Sequence, residues 1–166
     1  MNKKGFTMIE LTVTLAVLGI ISAIGIPSYF SWLPKHRLQT SVRNIYDDLN
    51  MARSRAVRTK IVAVAVFSTA NNNYTVFLDT DGSWSLDSGE TVISNGILAN
   101  GVDITGTTFS FNTLGFNDRG MPAAPLNGAD DDVYLTNSSG MFLGVRVTSA
   151  GGLSIISSTD GGSTWS

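Results

Sequence analysis

The sequence predicts an α+β protein: a long N-terminal α-helix, membrane-embedded in its first half and amphipathic in its second, packed on an antiparallel β-sheet head. Three observations carry that expectation. Leu11 to Pro34 holds no charged residue and is mostly apolar. From Leu38 the apolar residues recur in steps of four and three. From Ile61 onward, short β-branched runs alternate with turns rich in Gly, Asn and Asp.

Composition narrows the function classes. The 166 residues suit about one domain. Charged types make up 14% against the usual figure of about 25%, while apolar types reach 43%, so a disordered, charge-rich chain is excluded. The absence of cysteine removes disulfides, zinc-cysteine sites and thiol nucleophiles. A single histidine, His36, stands between Lys35 and Arg37, and no Gly-x-Ser-x-Gly or phosphate-binding Gly-rich loop is present, so a non-enzyme is expected. Net charge is −2 but unevenly spread. Lys35, Arg37, Arg43, Arg53, Arg55, Arg58 and Lys60 outnumber Asp47 and Asp48, whereas beyond Ile61 only Arg119 and Arg146 oppose ten acids. Such asymmetry points to a surface partner or an assembly.

The first element is the apolar helix. At 1.5 Å per residue, Leu11–Pro34 is long enough for a bilayer core of roughly 30 Å. Lys3 and Lys4 ahead of it would stay cytoplasmic and leave the rest of the chain outside. A cleaved secretory signal would need a small-residue site after the apolar stretch, and Ser22-Ala23 and Gly25-Ile26-Pro27 supply none. A plain anchor leaves Glu10 unexplained, because an unpaired charge at the hydrocarbon costs about 2.5–3.5 kcal/mol. Pro27 lacks an amide donor and is expected to kink or locally melt the helix. Gly19 and Ala23 form a small-xxx-small pair suited to close helix approach, or serve as ordinary apolar filler.

The stretch Lys4-Gly5-Phe6-Thr7-Met8-Ile9-Glu10-Leu11 resembles the processing site of type IV prepilins and type II secretion pseudopilins. The resemblance implies that prepilin peptidase cuts between Gly5 and Phe6 and that the new terminal Phe6 is N-methylated. It implies that Glu10 faces the amino-terminus of a neighbouring subunit, and that Pro27 matches a stem proline of the family. Opposite charges a few ångströms apart attract strongly at low dielectric, so such a pairing suits subunit registration. The implied organisation is a leader at 1–5, a transmembrane and polymerisation helix at 6–33, its amphipathic continuation at 34–60, and a periplasmic head at 61–166.

The continuation carries its stripe on Leu38, Val42, Ile45, Leu49, Ala52 and Ala56. One helix is therefore expected from about Phe6 to Lys60, with Arg43 and Asp47 able to pair one turn apart. Strands are then expected at Ile61–Phe67, Tyr74–Leu78, Glu90–Ile93, Thr107–Phe111, Val133–Thr136, Met141–Val147 and Leu153–Ser157, with Met121–Asp132 as a loop. Four features resemble GspH/FimT-type minor pseudopilins. They are the arginine-bearing Leu49–Lys60 with its following IVAVAVF run, the loop ending Ser88-Gly89-Glu90, the FSFNTLG segment Phe109–Gly115, and the closing Val145–Ile155 hairpin. The resemblance implies a pilin-like fold and a structural subunit of a secretion pseudopilus or type IV pilus at the inner membrane, with other pilins as partners.

Two sites remain. Asp79–Glu90 places acids at its first, third, ninth and twelfth positions (Asp79, Asp81, Asp87, Glu90), a spacing that imitates a calcium loop. Trp84 stands where the sharp turn calls for glycine, and a hydrated hairpin loop is the alternative. Asp130-Asp131-Asp132 is contiguous and expected to be solvated. The second function considered is DNA uptake, because some relatives bind DNA through a Gly-Arg-x-Arg hairpin. Here that stretch reads Gly151-Gly152-Leu153-Ser154, and Arg146 stands alone in its strand, so nucleic acid is an unfavoured partner.

Overall fold

The computed structural model describes residues 5–123 and 130–166. Lys3, Lys4 and most of the predicted leader lie outside the described residues, as do positions 124–129 of the predicted loop. By chain contacts the protein divides into Met1–Leu33 and Pro34–Ser166.

Helix α1 spans Met8–Thr59. It starts on a side-chain cap: the Glu10 N–H donates to Thr7 Oγ1 at 3.3 Å, and the Leu11 N–H to Thr7 O. Thr7-Met8-Ile9-Glu10 thus has the residue pattern of a capping box. Helical structure continues through Pro27, so the local melting expected there does not occur. Every residue from 5 to 32 is exposed. The hydroxyls of this stretch turn inward on the helix: Thr12 Oγ1 donates to Met8 O, Thr14 Oγ1 to Leu11 O and Ser31 Oγ to Ser28 O.

In the second unit the predicted stripe is buried without exception, from Leu38 to Ala56, and Ser41 joins it. Two antiparallel sheets receive it rather than the one expected. The first has the order β3-β2-β1-β5-β6, built from β1 (Val62–Ser68), β2 (Asn73–Asp79), β3 (Thr91–Ile97), β5 (Thr113–Phe116) and β6 (Pro122–Ala123). The second has the order β4-β7-β8-β9, from β4 (Val102–Thr107), β7 (Asp130–Asn137), β8 (Phe142–Thr148) and β9 (Leu153–Ser158). Ala65, Val76, Leu114, Val133, Leu135 and Val145 are fully buried or nearly so, drawing both sheets into one core with the helix.

Three expectations are corrected. The strand placed at Thr107–Phe111 is the last residue of β4 followed by a 3-10 turn over Ser110–Asn112. Phe111 and Asn112 adopt φ of 57° and 55°, and Thr107 Oγ1 donates to Asn112 Oδ1 at 2.8 Å, which folds the chain out of the ladder. The loop placed at Met121–Asp132 contains β6 and the first residues of β7, because Asp131 and Asp132 pair with Val147 and Arg146 of β8. Arg43 and Asp47 form no ion pair; among the described residues that contact belongs to Arg146 and Asp132.

Candidate functional site: the N-terminal segment and two features of the head

The N-terminal segment is the strongest candidate. Gly5 precedes the helix in irregular backbone, and nothing approaches within 4 Å of where a Cβ would stand on it. Phe6 is 83% exposed, Thr7 holds the first turn, and Glu10 lies in that turn on an exposed surface. A carboxylate there is favoured by the positive end of its own helix dipole. From Leu11 to Trp32 the exposed surface is uncharged and mostly apolar, and the helix is long and apolar enough to cross a membrane.

The acidic loop gathers Asp79, Asp81 and Glu90, each offering an oxygen within 4.8 Å of the others. Asp87 is not among them; its Oδ2 accepts from Ser83 Oγ at 2.8 Å. The carboxylates are largely engaged by the chain itself. Asp79 Oδ1 accepts from the Gly82 N–H at 2.7 Å and Oδ2 from the Trp84 N–H at 3.2 Å. Glu90 accepts from the Thr80 and Asp87 N–H groups. Hydrogen bonds from Ser83 hold the Asp81 carboxyl below its ordinary range. Trp84 adopts φ of 61°, the left-handed conformation that glycine favours, and its ring lies over Gly115 of β5. The residue that departs from a calcium-loop pattern is therefore the one that pins this loop to the sheet.

The last hairpin differs from its sequence reading. Arg146 does not stand alone: Nε and Nη2 make a two-pronged contact with Asp132 at 2.9 and 2.8 Å. The Tyr134 hydroxyl donates to the same carboxylate at 2.9 Å. Burial, then that bond, pushes the Tyr134 hydroxyl up to about 12. Nor is the aspartate run solvated throughout, since Asp131 and Asp132 are buried while Asp130 is exposed. Part of the basic helix face is also tied down, Arg37 Nη1 to Asn100 O and Arg53 Nε to Gly120 O. One polar centre escaped the sequence reading: Asp48 Oδ2 accepts from both the Tyr74 hydroxyl and Ser94 Oγ at 2.7 Å. Its half-buried place one residue before the stripe residue Leu49 was the available signal.

A capped, apolar N-terminal helix joined to an antiparallel two-sheet head defines a pilin-like protein. The model of the prokaryotic N-terminal methylation motif matches residues 1–26, and that of the type II transport protein GspH matches residues 41–151. The chain belongs to the GspH family. Among curated proteins it is similar to the pilin-like protein PilA1 of Thermus thermophilus, 28% identical over 93 residues, or 54% of this chain and 57% of that one. It is also similar to the prepilin peptidase-dependent protein D of Escherichia coli, 50% identical over 37 residues, or 22% of this chain and 25% of that one. The chain thus spans less than two thirds of the curated relatives it matches. Among solved structures, the type IV minor pilin FimU of Pseudomonas aeruginosa aligns with TM-score 0.58 and 14% identity, over 73% of this chain and 89% of that one. The minor pseudopilin EpsH of the Vibrio cholerae type 2 secretion system aligns with TM-score 0.56 and 12% identity, over 73% and 97%. These likenesses carry the fold.

Proposed function

We propose that the chain is a structural, non-enzymatic minor pilin or pseudopilin, inserted into a secretion pseudopilus or type IV pilus through its N-terminal helix. One observation carries this reading: an apolar helix with no buried residue from Met8 to Trp32 begins within the N-terminal methylation motif matched at residues 1–26. Apolar surface on that scale needs lipid or other helices around it. Prepilin peptidase cuts after Gly5 and the new Phe6 terminus is methylated. The helix holds the chain in the inner membrane with residues 61–166 in the periplasm. Glu10 then meets the amino-terminus of a neighbouring pilin. The partners are other pilins, the peptidase and the membrane. DNA uptake is not favoured, because Arg146 is committed to Asp132.

Two measurements test this. Mass spectrometry of the membrane-purified chain is expected to give a mature form beginning at methylated Phe6, and material beginning at Met1 would overturn the processing. Glu10→Ala is expected to leave the chain in the membrane and remove it from sheared filaments; unchanged incorporation would overturn the role of Glu10.

A further inference from the structure

We propose that the outer edge of β9, with the groove between it and α1, binds an extended segment of a partner protein that carries a carboxylate. This adds a head contact to the assembly reading, yet binding at this edge does not require filament formation.

Strand β9 closes the four-stranded sheet and pairs on one side only, with β8. The direction of its backbone groups is fixed by its far end. The Ser157 N–H donates to Ser166 O at 2.9 Å, and the Ser166 N–H donates to Ser157 O at 3.1 Å, so Ser157 faces away from β8. In a strand, alternate residues face alike, so Leu153 and Ile155 also direct N–H and C=O outward. Among the described residues no backbone group meets these four. One end of the edge thus already holds a segment in the antiparallel manner, and the remaining length presents free donors and acceptors in the same register.

The neighbouring surface supplies side-chain recognition. An open groove with two lobes of about 410 and 480 Å³ lies between β9 and the helix, lined by His36, Arg43, Tyr46 and Asp47 on one side and Leu143 and Ile155 on the other; Asp47 makes no ion pair with Arg43. Ile155 is opposite Val145, which is fully buried, yet remains 44% exposed. The apolar face of the sheet therefore stops one strand short of cover. Arg43 stands in both lobes and has no ion-pair partner among the described residues. An added strand would lay alternate apolar side chains against Leu143 and Ile155 and bring a carboxylate to that guanidinium. A second copy of this chain fits less well: of its other long edge strands, Thr91–Ile97 holds no charged residue for Arg43, and on Val102–Thr107 the Asp103 carboxylate and the Ile104 N–H are already taken by Asn72.

The test uses the full chain in detergent micelles and a fluorescent ten-residue probe of alternating valine and glutamate. Saturable binding by anisotropy is expected, with a probe of alternating valine and lysine binding about tenfold or more weakly. Ile155→Pro removes an outward N–H that no ladder bond uses, a change edge strands tolerate, and is expected to weaken binding about tenfold. Arg43→Ala, on the exposed helix face, should do the same through the lost charge contact, and stands as the test if the proline variant fails to fold. Equal binding of both probes, or unchanged binding to both variants, would overturn the proposal. Self-association of the chain that blocks the probe would overturn the occupant. Loss of filament incorporation with probe binding intact would count against neither the edge nor its chemistry.

Discussion

Asp132 shows how a single side chain redirects a functional reading. In the sequence it is one of three consecutive acids, and nothing in that run separates Asp131 and Asp132 from the exposed Asp130. Their difference follows from partners brought in by the sheet, Thr108 for Asp131 and Arg146 across the ladder for Asp132, which needs the strand pairing to be known. Arg146→Ala leaves a buried carboxylate without its partner. The expected cost is roughly 2–3 kcal/mol, below the full figure for a buried pair because the guanidinium is partly open to water. Urea unfolding of the full chain in detergent checks it. The Tyr134 hydroxyl on the same carboxylate, raised to about 12, keeps its proton longer in the folded state than in the unfolded one. Its contribution is therefore complete below the ordinary value of 10.0 and lost as pH rises from there to about 12, as ultraviolet titration of tyrosinate would show. Asp160 runs the other way. Hydrogen bonds from Ser158, Thr164 and Ser163 lower its pKa, so it steadies the C-terminal turn at neutral pH and releases it as pH falls below 3.8. Amide exchange at Ser163 and Thr164 should rise over that acid range. At Asp79–Glu90, calcium is expected to give no saturable heat on titration, since the backbone N–H groups already occupy the Asp79 and Glu90 oxygens.

At the scale of elements, the helix was legible because six apolar residues fall on one stripe, and β1, β2, β7, β8 and β9 because β-branched runs sit between turn residues; β4 (Val102–Thr107), broken by Asp103 and Gly106, was missed. The short pieces were not legible either. β5 is only four residues long and borrows its identity from its place beside β1, while β6 depends on pairing with β5. Phe111 has no sequence mark for its left-handed backbone, which the Thr107 and Asn112 contact stabilises. The helix start, by contrast, was written in Thr7-Met8-Ile9-Glu10, although resemblance drew attention to Glu10 for another reason. Close approach between elements also leaves its trace in glycine. Gly151 sits at φ of 79°, and a Cβ there would collide with the Gly120 carbonyl oxygen. Gly151→Ala should therefore force the β8–β9 turn off the Asn117–Met121 hairpin and cost about 2 kcal/mol or more, readable as a lowered urea midpoint.

For the molecule as a whole, family membership and the two-sheet head agree, while the opening residues decide what the head is for. The folded chain pairs Arg146 with Asp132 and ties Arg37, Arg53, Asp79 and Glu90 to its own backbone. The hydroxyls along the first half of the helix follow the same economy. Thr12, Thr14 and Ser31 each close on a carbonyl of their own turn, which lowers the polar demand of that stretch on its surroundings. On the assembly proposed above, such a rod would trade fatty-acyl neighbours for leucines and isoleucines of adjoining rods without breaking these three hydrogen bonds. Withdrawal from the bilayer into a fibre would then be mainly a contest of fit between greasy surfaces, with the proposed Glu10 contact to fix the landing height.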